Sequence, residues 1–311
     1  MNNNIIKYAT LLALATALIS GTANFLNKIA ITGVKDPIVF TTLKNALTAL
    51  FLAGLLMAFN KRREIASLTK NQMLKLTAIG AIGGSIPFAL FFTGLAQTSA
   101  LNAGLIHKTL FIWVLFLAVP LLKEKIHKWQ WLGIGAVFAA NFLVGGFTGF
   151  KYNSGELMIL GATILWAVEN VIAKTALKDL STVTVASSRM IIGTLILALL
   201  VLWRGEGSAV FELNGANWGW TILTSALLLG YVLTWYTALK YAPVTFVATL
   251  LVPATLVTNI LSAIFITNSF TGLQFLSGLL LVGGTALMIF FAAKAEKQIT
   301  EPEPNFPTST A

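Results

Sequence analysis

Ten apolar runs, each about long enough to cross a bilayer, follow one another along the chain with little between them. A hydrocarbon core about 30 Å thick takes roughly 20 residues of helix. Segments 8–30, 37–59, 73–96, 103–122, 129–147, 155–175, 183–203, 217–238, 244–266 and 272–293 meet that length. The breaks between them carry turn and charge chemistry: Gly33 to Pro37, Asn60 to Gln72, Lys123 to Lys128, Tyr152 to Gly155, and Gly205 to Asn217. Lipid offers no partner to an exposed backbone N–H or C=O, so such runs must close their hydrogen bonds within helices. The spacing therefore predicts an all-α integral membrane protein with ten transmembrane helices. Only 10% of the residues are charged, where a soluble chain carries about a quarter, so most of the surface is expected to meet lipid.

The net charge of +10 raises nucleic acid as a partner and topology as an alternative cause. The basic residues sit in short loops between apolar runs, and no nucleic-acid-binding signature accompanies them, so topology is the better explanation. One face receives Lys7, Lys61, Arg62, Arg63, Lys70, Lys75, Lys123, Lys125, Lys128, Lys178, Lys240, Lys294 and Lys297; the other receives Lys35, Lys151 and Arg204. That asymmetry predicts a multi-pass protein of the cell membrane with both termini cytoplasmic. Trp129, Trp131, Trp203, Trp218 and Trp220 fall near span ends, as interfacial anchors should. Cysteine is absent, which excludes disulfides and thiolate chemistry. The polar, Pro-rich stretch 294–311 reads as a disordered cytoplasmic tail.

The chain is also one unit written twice. GLAQTSALNAGLI (94–106) aligns without a gap on ALKYAPVTFVATL (238–250), and WQWLG (129–133) on LQFLS (273–277), both at an offset of 144. NFLNKIA (24–30) lies on NVIAKTA (170–176), pairing Asn24 with Asn170 and Lys28 with Lys174. LKNALTALFLA (43–53) lies on SRMIIGTLILA (188–198), pairing Lys44 with Arg189. The halves are 8–147 and 155–293. Five crossings per unit make the second copy enter from the opposite face, so the two repeats are inverted. Inverted repeats are the common plan of secondary transporters, with the site near the midplane where the repeats meet. The same recurrence argues that Lys7, the following apolar run and SGTA (Ser20 to Ala23) form a retained helix rather than a cleaved signal peptide.

With these paired motifs in hand, the chain resembles the ten-helix EamA-type carriers of the drug/metabolite transporter superfamily. The residues that carry the resemblance are TSALNAGLI followed by VPLLKEKIHKWQWLG in the first half, and ALKYAPVTFVATLLVP followed by LQFLSGLLLVGG in the second. Two positions depart from the family pattern. Its acidic loop residue is Glu124 in the first copy and Asn268 in the second, and the tryptophan near the start of the repeat is Trp166 in the second copy but Ser20 in the first. The resemblance implies movement of small metabolites in or out of the cell and names no single substrate.

Ionisable groups within a bilayer are functional candidates by default. Glu169 is the one acid well inside a span. Trp166, Asn170 and Lys174 recur at intervals of four and form a stripe with Glu169 at its edge. This stripe could line a solute cavity, with Glu169 holding a cationic group or a coupling proton. Alternatively Glu169 is the structural partner of Arg189 at similar depth in the next helix. Asn24, with Ser20 and Lys28, makes the matching stripe on the first helix. Of the remaining embedded cations, Lys28 is expected to snorkel to the interface and Lys44 to cap carbonyls, which leaves Lys108 as the cavity ligand for an anionic group. His107 is a second proton carrier candidate. Tyr231, Thr255 and Asn259 complete the cavity list. Gly80, Gly83 and Gly84, ending at Pro87, read as close-packing and bending devices, and Pro253 as a hinge.

An intramembrane enzyme finds no support. The only histidines are His107 and His127, too few for a zinc centre without cysteine. Asp36 and Asp179 lie in loops, and no G-x-S-x-G elbow or Walker motif appears. No cofactor is implied. The expectation is a secondary transporter, in the exporting direction, of amino acids or related zwitterionic or anionic solutes. A channel or a receptor-like structural protein is the alternative.

Overall fold

The computed structural model describes residues 3–33, 36–143 and 153–300, and these are helical with short connections. The helices are α1 (Asn3–Thr32), α2 (Pro37–Ala58), α3 (Arg62–Ala66), α4 (Lys70–Gly84), α5 (Ile86–Gln97), α6 (Ala100–Lys108), α7 (Leu110–Leu122) and α8 (Gln130–Phe142) in the first half. In the second half they are α9 (Ser154–Ala176), α10 (Thr182–Trp203), α11 (Gly215–Tyr241), α12 (Val244–Leu250), α13 (Ala254–Ser262) and α14 (Gly272–Thr300). Among the described residues nine helical stretches are long and apolar enough to cross a membrane. The fifth expected span is α8, and 144–152 beyond it lie outside the described residues; with α8 the crossings number ten.

Two expectations need correction. The third, fourth and ninth spans are not continuous helices: they break at Ser85 between α4 and α5, at Thr109 between α6 and α7, and around Leu251 to Pro253 between α12 and α13. Pro87 and Pro253, which lack an N–H, sit at or beside two of these breaks. The second concerns the tail: α14 continues to Thr300, so 294–300 are helical rather than disordered, while 301–311 lie outside the described residues.

The inversion can be read from the contacts. α2 and α10 are equivalent elements of the two repeats and pack against each other. Asp36, which caps the start of α2, meets Arg204 at the end of α10 at 2.7 Å. Ser181, which caps the start of α10, donates its N–H to Glu64 just past the end of α2, at 2.6 Å. Equivalent helices that meet start to end run antiparallel, as an axis in the membrane plane requires. α8 and α14 pair in the same antiparallel sense, with Gly133 against Gly284 and Ala140 against Ser277. The remaining helices pair in exchanged sets: α1 with α11 as α9 with α5, and α1 with α13 as α9 with α7.

The repeat extends to single hydrogen bonds. Lys28 donates to the carbonyls of Leu95 and Thr98 at 2.8 and 2.7 Å, and its mate Lys174 to those of Leu239 and Ala242 at 2.6 Å each. Each lysine thus covers orphan carbonyls at the end of a neighbouring helix, α5 or α11, where the chain turns back. Lys28 is therefore the carbonyl cap, a role the sequence suggested for Lys44. Matching capping boxes start α4 (Thr69 with Gln72) and α11 (Asn214 with Asn217).

One cap differs. Ser99 caps α6, but its counterpart Pro243 has no side chain able to cap α12. Glu124 supplies it from the other half, accepting from Val244 N, Thr245 N and Thr245 Oγ1 at 2.7, 3.0 and 2.7 Å. Asn268 takes a left-handed φ of 48° where Lys123 takes 54°. By geometry it is therefore the partner of Lys123 rather than of Glu124.

Outside the membrane spans, burial raises the Glu64 carboxyl pKa, but hydrogen bonds from Ser181 and a contact with Lys61 outweigh it and hold the group below its usual range. Lipid-facing positions carry Leu11, Leu50, Phe116 and Leu199, and Trp129, Trp131 and Trp203 are exposed near helix ends.

Small residues let α4 and α10 touch backbone to backbone: a Cβ on Gly84 would lie 2.0 Å from the Arg189 carbonyl oxygen. Gly84→Ala is expected to destabilise the protein by about 1–3 kcal/mol through overpacking. Gly54→Ala, whose Cβ would meet nothing within 4 Å, should leave the unfolding midpoint unchanged or slightly raised. Thermal unfolding of the two purified variants checks this contrast.

Candidate functional site

The centre of the molecule is organised by a missing donor. Pro87 has no N–H, so the carbonyl four residues earlier, that of Gly83, loses its helical partner. Three side-chain donors from the second half take its place. Trp166 Nε1 donates to Gly83 O at 2.9 Å, and Arg189 donates through Nε and Nη2 at 3.2 and 3.1 Å. Gly83 must also lack a side chain, because a Cβ there would lie 2.3 Å from Glu169 Cγ. Gly83 and Gly84 are thus the close-packing and bending elements the sequence suggested, and Gly83 also binds the two halves together.

Around this point lies a small cavity of about 70 Å³. It is lined from both halves: Asn24 and Lys44 among others from the first, Trp166, Glu169, Asn170 and Tyr231 among others from the second. The equivalent residues Asn24 and Asn170 both face it. His107 lines it too, its ring tilted on Trp166 at 4.9 Å with Nδ1 lacking a partner among the described residues. Much of the remaining wall is aromatic, including Phe88, Phe91, Phe92 and Trp235.

The polar groups divide into satisfied and unsatisfied sets. Glu169 accepts a hydrogen bond from Tyr236 Oη and, among the described residues, makes no ion pair with Arg189. The expected charge pair is therefore indirect: both side chains pack on Gly83, and the Arg189 guanidinium lies 5.6 Å from the Tyr236 and Phe88 ring centres. Asn170 Oδ1 accepts from Trp235 Nε1 at 2.9 Å, and Tyr231 stacks on Trp235 at 5.9 Å. Asn24 Nδ2 has no acceptor among the described residues.

Three expected cavity residues, Lys108, Thr255 and Asn259, lie elsewhere. Lys108 is buried behind the wall and donates to Ser20 Oγ at 2.8 Å; it is Ser20, not Lys108, that lines the cavity. Asn259 is buried in α13 away from it, and its neighbour Thr255 donates to Asn141. In exchange the cavity gains Lys44, whose Nζ lies 3.5 Å from Asn27 Oδ1 and 3.9 Å from the centre of the Phe92 ring. The signal for Lys44 was in the repeat, which pairs it with Arg189. Tyr236 left no such signal, because only the fold brings its hydroxyl to Glu169. Among the described residues no three His, Asp or Glu side chains converge to hold a metal.

The halves found by geometry recur in comparisons with known proteins. The EamA-like transporter family matches residues 7–146 and again 153–290. The chain is 28% identical over 173 residues to the uncharacterized transporter YyaM of Bacillus subtilis (strain 168), covering 53% of this chain and 56% of that relative's length. It is 25% identical over 260 residues to the uncharacterized transporter sll1164 of Synechocystis sp. (strain ATCC 27184 / PCC 6803 / Kazusa), covering 77% and 72%. A solved crystal structure shares the fold with a TM-score of 0.73 over 93% of this chain and 98% of its own, at 18% identity. With both of its repeats matched in turn, this membrane-spanning chain belongs to the EamA-like transporter family.

Proposed function

We propose that the protein is a secondary transporter that moves a small zwitterionic or anionic metabolite, such as an amino acid, out of the cell by alternating access. The observation that carries this reading is the cavity lined by both inverted halves, with Asn24 and Asn170 facing it as equivalents. Two inverted copies give two related packings, and exchange between them carries a site at their junction from one face to the other. The aromatic wall would hold an apolar body, and polar groups from each half would orient its ends. Glu169 is the group for an amine or a coupling proton, and His107 a second proton carrier. The distribution of basic residues supports a cell-membrane location with cytoplasmic termini.

Counterflow in proteoliposomes tests the carrier reading. Internal unlabelled amino acids should accelerate entry of the same labelled amino acid at least for one member of a panel. Entry that is never accelerated would mark a channel, and no entry at all a non-transporting protein. A single cysteine at Asn60 should resist an impermeant thiol reagent added to intact cells; labelling there would reverse the proposed orientation.

Glu169→Gln keeps an acceptor for Tyr236 and should fold normally, while abolishing pH-driven transport and leaving exchange intact. Tyr236→Phe removes the donor from a buried carboxylate and should destabilise the protein by about 1–3 kcal/mol. Unchanged pH dependence in a well-folded Glu169→Gln would take this residue out of the coupling step.

A further inference from the structure

We infer that Lys44 and Asn24 form the subsite that receives a carboxylate of the solute, an assignment that rests on the carrier reading above. The cavity wall carries one embedded acid and two embedded cations: Glu169, Arg189 and Lys44. Glu169 is engaged by Tyr236, and Arg189 is spent on the Gly83 carbonyl. Lys44 is different. An ammonium has three donors, and this one, 2% exposed, reaches a single acceptor, Asn27 Oδ1, at the 3.5 Å limit of a hydrogen bond. The rest of its surroundings are the faces of Phe92, Phe40 and Phe88, with ring centres at 3.9, 5.8 and 5.7 Å.

Aromatic faces stabilise a cation only in part. They also hold it in place without neutralising it, so it remains available to a ligand's charge. Asn24, three residues before Asn27 on α1 and so on the same side of that helix, adds a second donor, Nδ2, with no acceptor among the described residues. Two residues with unsatisfied donors, one of them cationic, therefore line one cavity, from α1 and α2. A single negative group with two oxygens satisfies both. The charge favours a carboxylate over a phosphate monoester, which carries about −1.5 to −2 at neutral pH and would overfill a site with one free cation. Lys108, the anion ligand expected from the sequence, points instead to Ser20.

The test uses the full-length protein in detergent and matched probes: phenylalanine, leucine, 3-phenylpropionate and phenylacetate, each beside its carboxamide. Binding is read as the concentration dependence of the thermal unfolding midpoint. In the wild type at least one acid should bind more tightly than its amide. Lys44→Gln should weaken that acid about tenfold or more and the amide far less, while Lys44→Arg should restore the preference. Should Lys44→Gln fail to fold, Asn24→Leu is the second variant, and it should lower the same acid-to-amide ratio.

Three results would overturn the assignment. The first is no preference for any acid in the wild type; the second is a preference intact in Lys44→Gln (or in Asn24→Leu, where that variant is the one read); the third is a preference abolished equally by Lys44→Gln and Lys108→Gln and not restored by Lys44→Arg. Counterflow of the preferred acid separates this outcome from the broader one. A Lys44-dependent acid preference without counterflow keeps the subsite and removes the carrier.

Discussion

The architecture of the centre depends on the free carbonyl of Gly83. A proline four residues downstream strips it of its helical donor, and an unpaired carbonyl in an apolar interior costs more than most single contacts supply. Trp166 and Arg189 close that deficit from the opposite repeat, which brings their helices against the broken third span. Glu169 can then press its side chain into the space a Cβ would have filled. Bend, junction of the halves and arrangement of the cavity charges thus share one cause.

The second repeat has no such break at the corresponding place: α11 runs unbroken from Gly215 to Tyr241, with Tyr231 standing at the offset of Pro87. The duplicated plan has therefore diverged at its centre while most of its helix ends are kept, the start of α12 excepted. Lys28 and Lys174 still make the same pair of bonds, and the capping boxes of α4 and α11 still match. At the centre Trp166 stands where the first repeat has Ser20, and Lys44 and Arg189 have taken different partners. Inversion needs the ends to agree so that each half packs alike. A site that recognises an unsymmetrical molecule needs the centre to differ.

This division also explains how much could be read in the sequence. The ten crossings, the two halves and their inversion follow from run length, spacing and an odd number of helices, all of which the chain carries locally. Asn24, Trp166, Glu169, Asn170, Tyr231 and His107 were legible because polarity inside an apolar run is itself a signal. The fates of the lysines were not. Whether a long side chain reaches a carbonyl, a hydroxyl or a cavity is decided by a neighbouring helix remote in sequence, so the expected roles of Lys28, Lys44 and Lys108 were reassigned among them. The direct partner of Glu169 was hidden for the same reason, since Tyr236 lies on α11, more than sixty residues further along the chain, and leaves Arg189 an indirect neighbour.

The ties at the two ends of α2 and α10 have a mechanical consequence. Asp36 with Arg204 pins the pair at one end, and Glu64 with Ser181 pins it at the other. Two antiparallel rods fastened at both ends resist being levered apart from either side. Relative motion of the halves that preserves these fastenings must turn about this pair, like a door about its hinge post. The segmented fourth and ninth spans pack mainly against helices other than this pair, and their breaks give them joints of their own.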